Sequence, residues 1–327
     1  MRKLAVDVVV IGGGSTGVGV VRDVAMRGYS AVLLERADLA QGTSGRFHGL
    51  LHSGGRYVVS DPGSATECAE ENAIVTRIHA DAVETTGGYF VTAPGDDPAF
   101  ADKFLAGAAA TGVPAHELSV AEALRNEPRL NPGILRAVEV QDGTVDGWQM
   151  VWGAARSAME YGAKVLTYHR VTRIDRAEGR VSAVHCVDLK DGEDVRIDCN
   201  FVLNCAGPWA GQVAAMADCH PVDVIPGRGI MIAMNHRLVN RVINRMIYPA
   251  DGDILVPVHT VSIIGTTDVK VENPDDLAIE RDEVQEMLDA GEILIPGFRQ
   301  SRALHAWAGA RPLIKDSRVS SSDTRHM

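Results

Sequence analysis

The stretch Leu4-Ala5-Val6-Asp7-Val8-Val9-Val10-Ile11-Gly12-Gly13-Gly14-Ser15-Thr16-Gly17-Val18-Gly19-Val20-Val21-Arg22-Asp23-Val24-Ala25-Met26-Arg27-Gly28-Tyr29-Ser30-Ala31-Val32-Leu33-Leu34-Glu35-Arg36 decides the fold. Leu4 to Ile11 is a Val- and Ile-rich run of the length of a buried strand. Three glycines break it. Thr16 to Arg27 then carries Val18, Val21, Val24 and Ala25 on or near one helical face, and Gly28 closes the helix as a residue tolerant of positive φ. Ser30 to Leu34 is a second strand, ended by Glu35-Arg36. The glycines are spaced Gly12-x-Gly14-x-x-Gly17. The first makes the tight turn, the second lets backbone approach a pyrophosphate, and the third lets helix and strand pack closely. The unpaired N–H groups of the helix start then face the phosphates. Glu35 lies 18 residues beyond Gly17, where a carboxylate accepts hydrogen bonds from ribose hydroxyls. These residues predict a dinucleotide-binding βαβ unit.

The dinucleotide is NAD or FAD, and two features favour FAD. The motif stands at the extreme N-terminus without a train of further βαβ units behind it. A later segment, Phe201-Val202-Leu203-Asn204-Cys205-Ala206-Gly207-Pro208-Trp209, repeats the order strand, glycine turn, helix and brings a second turn towards the same crevice. Between them lies Gly42-Thr43-Ser44-Gly45-Arg46-Phe47-His48-Gly49-Leu50-Leu51-His52-Ser53-Gly54-Gly55-Arg56-Tyr57. So many glycines imply close backbone approach. The hydroxyls and N–H groups suit an anion nest, and His52, Arg56 and Tyr57 suit a small anionic substrate.

Beyond this region the pattern predicts helices over 64–80, 98–111, 119–125, 146–161, 208–217 and 280–294. Strands are predicted over 88–93, 164–168, 171–175, 180–188, 195–197, 201–204, 229–234, 254–258 and 261–265. The polar stretch 315–327 reads as a disordered tail.

Composition excludes several classes. The chain has 327 residues, 46% hydrophobic and 23% charged, as globular proteins do. With 43 Asp and Glu against 32 Lys and Arg, the net charge of −11 argues against wrapping around nucleic acid. Five cysteines (Cys68, Cys186, Cys199, Cys205, Cys219) show no C-x-x-C pair, so neither a disulfide framework nor a metal cage is expected. No apolar run reaches the roughly 20 residues that span a membrane. Asp7 and the glycines behind it do not fit a signal peptide, which leaves the cytoplasm as the default compartment.

Taken together, the glycine run Gly12 to Gly17 and the segment Gly45 to Tyr57 resemble the FAD subunit of anaerobic glycerol-3-phosphate dehydrogenases, within the DAO-type flavoprotein oxidoreductases. Further matches follow in order: Asp142-Gly143-Thr144-Val145-Asp146, Val242-Ile243-Asn244-Arg245, Asp253-Ile254-Leu255-Val256-Pro257, Ile264-Gly265-Thr266-Thr267-Asp268 and Gly309-Ala310-Arg311-Pro312-Leu313. The resemblance covers about residues 4 to 314. It implies a mixed α/β (α+β) fold: a glutathione-reductase-type FAD-binding Rossmann domain (1–60 and 145–225) interleaved with an antiparallel-sheet substrate domain (61–144 and 226–314). It also implies that Gly12, Gly14, Gly17, Glu35, Arg36, Thr43, Ser44, Gly49, Leu50, Val171, Ala206 and Gly207 line FAD, and that His52, Tyr57 and Arg311 stand at the substrate.

The implied reaction is oxidation of sn-glycerol 3-phosphate to dihydroxyacetone phosphate by hydride transfer to flavin N5. Electrons would pass through partner subunits to membrane quinone, placing the protein at the inner face of the cell membrane. Arg311 suits the dianionic phosphate, and His52 suits the base that takes the C2 hydroxyl proton. His48 and His259 read as structural. Other DAO-type oxidation of amines or hydroxy acids, or a catalytically incomplete FAD-binding fragment, are the alternatives. Two departures stand out. Aerobic relatives place a His in the segment matching Gly227-Arg228-Gly229-Ile230, which has none here. The family also continues past Arg-Pro-Leu with a strand, a Gly-Gly-Lys turn and a helix, so the chain is expected to stop before its FAD domain closes.

Overall fold

The computed structural model describes residues 2–219 and 223–314. The opening residues form β1 (Arg2–Ile11), α1 (Ser15–Met26) and β2 (Ala31–Leu34). In chain order there follow β3 (Leu50–Leu51), α2 (Pro62–Ile78), β4 (Val83–Glu84), β5 (Gly88–Thr92), α3 (Phe100–Thr111), β6 (Ala115–Leu118), α4 (Val120–Asn126), β7 (Arg136–Val140) and β8 (Gly143–Val145). Next come α5 (Gly147–Glu160), β9 (Lys164–Leu166), β10 (His169–Ala177), β11 (Arg180–Asp188), β12 (Asp194–Asn204), α6 (Ala210–Ala215) and β13 (Val224–Met234). The chain closes with β14 (Val242–Arg245), β15 (Ile254–Val258), β16 (Val261–Gly265), β17 (Val269–Lys270), α7 (Arg281–Leu294) and β18 (Ala303–Ile314).

Two large sheets organise these elements. One has the order β10-β11-β12-β1-β2-β9. Its centre is parallel, with β1 between β12 and β2, while β10, β11 and β12 form an antiparallel meander. The pleat of β1 explains why both faces are covered. Val8 and Val10 point into a cluster with Val18, Val21 and Ala25 of α1 and with Val151, Ala154, Ala155 and Ala158 of α5. Val9 and Ile11 point the other way, onto Val171, Ile174, Val184 and Ile197 of the meander. Each of these buried Val or Ile side chains contributes roughly 1.5–3 kcal/mol by leaving water. The alanines of α5 keep that helix close to α1.

The other sheet runs β17-β13-β16-β15-β14-β5-β7-β6, with β18 on the second side of β13. It is antiparallel except where β14 meets β5. Its core gathers Tyr89, Ile230, Ile232, Ile243, Leu255, Ile264, Met287 and Phe298. A small sheet, β3-β8-β4, joins the two regions.

Several local expectations are corrected. The strands expected at 195–197 and 201–204 are one strand, β12, because it pairs with β1 from Arg2–Val195 to Ile11–Asn204. From Cys199 to Asn204 it pairs on that side only, and Phe201 is 66% exposed. The helix expected at 208–217 starts as a 3-10 turn over Gly207–Trp209 and ends at Ala215. β18 has no counterpart among the strands read from the sequence. Its Ala- and Gly-containing sequence has weak strand propensity, and it is held by pairing along the whole of β13. Cys186 and Cys199 are buried, Cys68 and Cys205 half-buried and Cys219 exposed, all as free thiols. Among the described residues no helix is long and apolar enough to cross a membrane, and no cluster of metal-ligating side chains occurs. The expected tail at 315–327 lies outside the described residues.

Candidate active site

The glycine turn has the geometry its spacing predicts. Gly12 sits at φ 115°, and a Cβ there would fall 2.3 Å from the Cys205 carbonyl oxygen. A Cβ on Gly17 would fall 1.8 Å from the Gly12 carbonyl oxygen. A Cβ on Gly14, the residue before α1, would come 2.9 Å from Ser44 Oγ. The N-cap Gly14 has no side chain to cap α1 and the first turn holds no acidic residue, so the positive end of the helix carries no counter-charge and suits an anion. Ser44 Oγ accepts from the Ser15 N–H at 2.9 Å, which brings the Thr43–Gly45 loop to the helix start. Glu35 stands at the end of β2 and reaches back to accept from the Gly13 N–H at 2.7 Å and from the Ala37 N–H at 2.8 Å.

The remaining residues implied for the cofactor converge on the same ground. Arg36 lies over the Trp209 ring at 4.2 Å and pairs with Asp275 at 2.9 Å. The second glycine turn meets the first directly, because the Cys205 N–H donates to the Ile11 carbonyl at 2.8 Å. Ala206 and Gly207 follow, with Gly207 at φ 54°. Val171 stands on β10, packed against the β1 and β2 side chains. Gly49, at φ 88°, and Leu50 lead into β3. A pyrophosphate, a ribose and a flat ring system all find suitable partners here: open N–H groups, a carboxylate at the turn, and positions where any side chain would clash.

Thr43 links this turn to a cavity of about 320 Å³. His48, His52, Tyr57 and Arg311 line it, together with Arg56 and Asp268. A left-handed Gly54, at φ 96°, starts the 3-10 turn Gly55–Tyr57 that aims His52 and Tyr57 at each other, with ring centroids 5.7 Å apart. The His48 ring lies 6.4 Å from that of His52. Burial, with help from the Arg56 charge, lowers the His52 pKa to about 3. Burial and the neighbouring His52, Arg56 and Arg311 also hold His48 well below the usual imidazole range, and burial raises the pKa of Tyr57. Both imidazoles are therefore neutral near pH 7, and His48 Nδ1 accepts from the Leu50 N–H at 3.2 Å. His48, read from the sequence as structural, is part of this wall. His259 is exposed and pairs with Asp146 at 3.5 Å.

Two cavity arginines differ sharply. Arg56 Nη1 pairs at 2.7 Å with Asp253, whose side chain is 3% exposed. Arg311 Nη1 pairs at 3.2 Å with Asp268, while Nη2 donates to the Thr267 carbonyl at 3.0 Å and to Thr266 Oγ1. Sequence reasoning missed Asp253, Asp268 and Thr266 as parts of the site. Other recognised motif residues act as braces. Asp142 is buried and accepts from the Ser53 N–H at 2.8 Å and from Asn244 Nδ2 at 2.9 Å. Asp146 caps α5, and Arg245 pairs with Asp96.

Comparison with known proteins gives the family and the fold. Residues 7–324 match the family model described as FAD dependent oxidoreductase. The chain is 42% identical to an anaerobic glycerol-3-phosphate dehydrogenase subunit of Haloferax volcanii, over 98% of this chain and 56% of that protein. It is 41% identical to the anaerobic glycerol-3-phosphate dehydrogenase subunit of Escherichia coli K12, over 94% of this chain and 57% of that protein. The chain thus spans little more than half the length of these relatives. In structure it resembles L-alpha-glycerophosphate oxidase of Mycoplasma pneumoniae, solved with FAD bound, with a TM-score of 0.82, 20% identity, and coverage of 96% of this chain and 84% of that one. Glycine oxidase from Geobacillus kaustophilus superposes with a TM-score of 0.81 at 20% identity, covering 96% and 84%.

Proposed function

Because the chain belongs to the FAD dependent oxidoreductase family, we propose that it binds FAD and oxidises sn-glycerol 3-phosphate to dihydroxyacetone phosphate. The observation that carries the substrate is the cavity beside the glycine turn, where the Arg311 guanidinium stands with a neutral His52 and with Tyr57. The relatives named above support it, since both are named for this substrate. The six-stranded sheet and its glycine turns serve the cofactor, and the antiparallel sheet serves the substrate, giving the interleaved units 1–60 with 145–225 and 61–144 with 226–314. Gly12, Gly14 and Gly17 admit the pyrophosphate, Glu35 takes the ribose, and Thr43, Ser44, Gly49, Leu50, Val171, Ala206 and Gly207 line the rest, with Arg36 at the rim.

When bound, the flavin supplies the acceptor for the hydride that leaves C2. Arg311 holds the dianionic phosphate through charge-assisted hydrogen bonds. His52 accepts the C2 hydroxyl proton as the C2–O bond becomes a carbonyl, and Tyr57 stands beside it to orient the ring. Both relatives are named as one subunit of an anaerobic enzyme. Partner subunits that carry the electrons to membrane quinone, at the inner face of the cell membrane, complete the proposal.

Anaerobic reduction of the bound flavin tests it. Glycerol 3-phosphate should bleach the yellow protein, whereas glycine and other amino acids should not. Bleaching by an amine alone would overturn the assignment.

A further inference from the structure

Strand β13 contains Gly227-Arg228-Gly229, two glycines two residues apart and so on one face. Glycine weakens a strand interior and marks close approach. A Cβ on Gly229 would meet the Thr267 carbonyl oxygen at 2.5 Å and Arg311 Nη2 at 2.8 Å, and a Cβ on Gly227 would meet Asp268 Oδ1 at 2.7 Å. The glycines therefore make room for the Arg311 guanidinium and its carboxylate partner. Arg228, between them, points to the opposite face and is 5% exposed. Its Nη2 pairs with Glu283 Oε2 at 2.6 Å. The other Glu283 oxygen accepts from Thr267 Oγ1 at 2.7 Å, and that hydroxyl accepts from the Ile230 N–H at 3.1 Å. Thr267 itself is 1% exposed, and its carbonyl receives Arg311 Nη2.

These contacts form one line from α7 through the β16–β17 turn to the cavity: Arg228, Glu283, Thr267, Arg311. We infer that Glu283 and Thr267 are positioning residues that fix the carbonyl on which the Arg311 guanidinium rests, and so set the affinity of the site for a phosphate. The inference rests on the reading that Arg311 receives the substrate phosphate. A buried ion pair adds little net stability, because desolvation offsets attraction. What Arg228 and Glu283 supply is a fixed anchor for the Thr267 hydroxyl and, through it, for the turn. Neither residue lines the cavity, so their effect on substrate passes through the turn.

The test uses the full chain with FAD bound and reads binding without turnover, by calorimetry with dihydroxyacetone phosphate, beside steady-state kinetics. Thr267→Val should raise the Kd about tenfold and raise KM for glycerol 3-phosphate to the same extent, with kcat within about twofold of the parent. Thr267→Ser, which keeps the hydroxyl, should restore the parent Kd. In an Arg311→Ala background, itself weakened about a hundredfold, Thr267→Val should add nothing. If Thr267→Val does not fold, the paired change Arg228→Met with Glu283→Leu removes the same anchor at similar volume and should raise Kd likewise. A parent-like Kd for these variants, while Arg311→Ala is weakened, overturns the inference and leaves the Arg311 reading standing. An Arg311→Ala protein of parent affinity overturns that reading itself.

Discussion

Two glycines of α1, two residues apart, should respond to the same substitution with opposite signs. At Gly17 an added Cβ would lie 1.8 Å from the Gly12 carbonyl oxygen and 3.0 Å from the Gly12 carbonyl carbon, both backbone atoms that no rotamer change can move. An ordinary carbon–oxygen contact needs roughly 3.2 Å. The helix start must therefore retreat by about 1 Å or more, or the glycine turn must open. Either shift disturbs Val18, Val21 and Ala25, which pack on β1 and α5. Overpacking of this kind costs about 1–3 kcal/mol, and a backbone obstacle places Gly17→Ala at the upper end. At Gly19 nothing lies within 4 Å of the added carbon, and the residue is exposed. There the helix simply gains an alanine, worth roughly 0.5–1 kcal/mol. The two variants should thus differ by about 4 kcal/mol in guanidinium unfolding followed by circular dichroism. Displacement of the α1 start should also weaken FAD binding by Gly17→Ala at least about tenfold, since the N–H groups leave the pyrophosphate, while Gly19→Ala binds as the parent does. Equal stability of the two variants would refute the close-approach argument, and with it the reading of Gly17 as the packing glycine.

Gly229→Ala places a methyl group 2.5 Å from the Thr267 carbonyl and against Arg311, so KM for glycerol 3-phosphate should rise about tenfold or more with the fold retained by circular dichroism. The pH response of stability follows from the two cavity histidines, whose folded pKa values lie below the unfolded value near 6.5. The stability they contribute as neutral rings is complete above pH 6.5 and is lost as the pH falls below it, for His52 until about pH 3. Urea unfolding at pH 7 and pH 5 should therefore show the parent losing up to about 1.4 kcal/mol per pH unit per histidine relative to His48→Gln/His52→Gln; a gap independent of pH would mean that the rings are hydrated. Arg56→Ala strands the buried Asp253 carboxylate and should cost about 3–5 kcal/mol of stability, whereas Arg311→Ala should leave stability nearly unchanged and weaken substrate binding. Identical outcomes in both assays would show that the two arginines share one role.

The parts of this molecule legible in its sequence are those whose physics is local. Leu4 to Arg36 could be read because strand, turn, helix and strand follow one another within a single βαβ unit, and Gly17 and Gly12 have their close-approach partners at Gly12 itself and in the matching turn at Cys205. β18 escaped for the opposite reason. Ala303 to Ile314, with its alanines, glycine and proline, favours a strand only weakly, and its register is dictated by β13, far back along the chain. The small β3-β8-β4 sheet is likewise made by pairing of distant pieces.

The site divides along the same line. His52, Arg56 and Tyr57 announce themselves as a cluster, but their chemistry is decided by residues that arrive from elsewhere. The partner of Arg56 is 197 residues away, and that of Arg311 is 43 residues away. In the sequence both Arg56 and Arg311 suit an anion, and the family resemblance singles out Arg311 for the phosphate. In the structure Asp253 is sealed beneath Arg56, whereas the Arg311 side chain is 34% exposed and its Asp268 partner 14% exposed. Coulomb attraction weakens with hydration, so the pair nearer the cavity is the one a dianionic phosphate can displace. The buried pair fixes a wall. That difference in burial, with Asp253 just before β15 and Arg311 on β18, is what favours Arg311 over Arg56 as the phosphate partner in the proposed reaction.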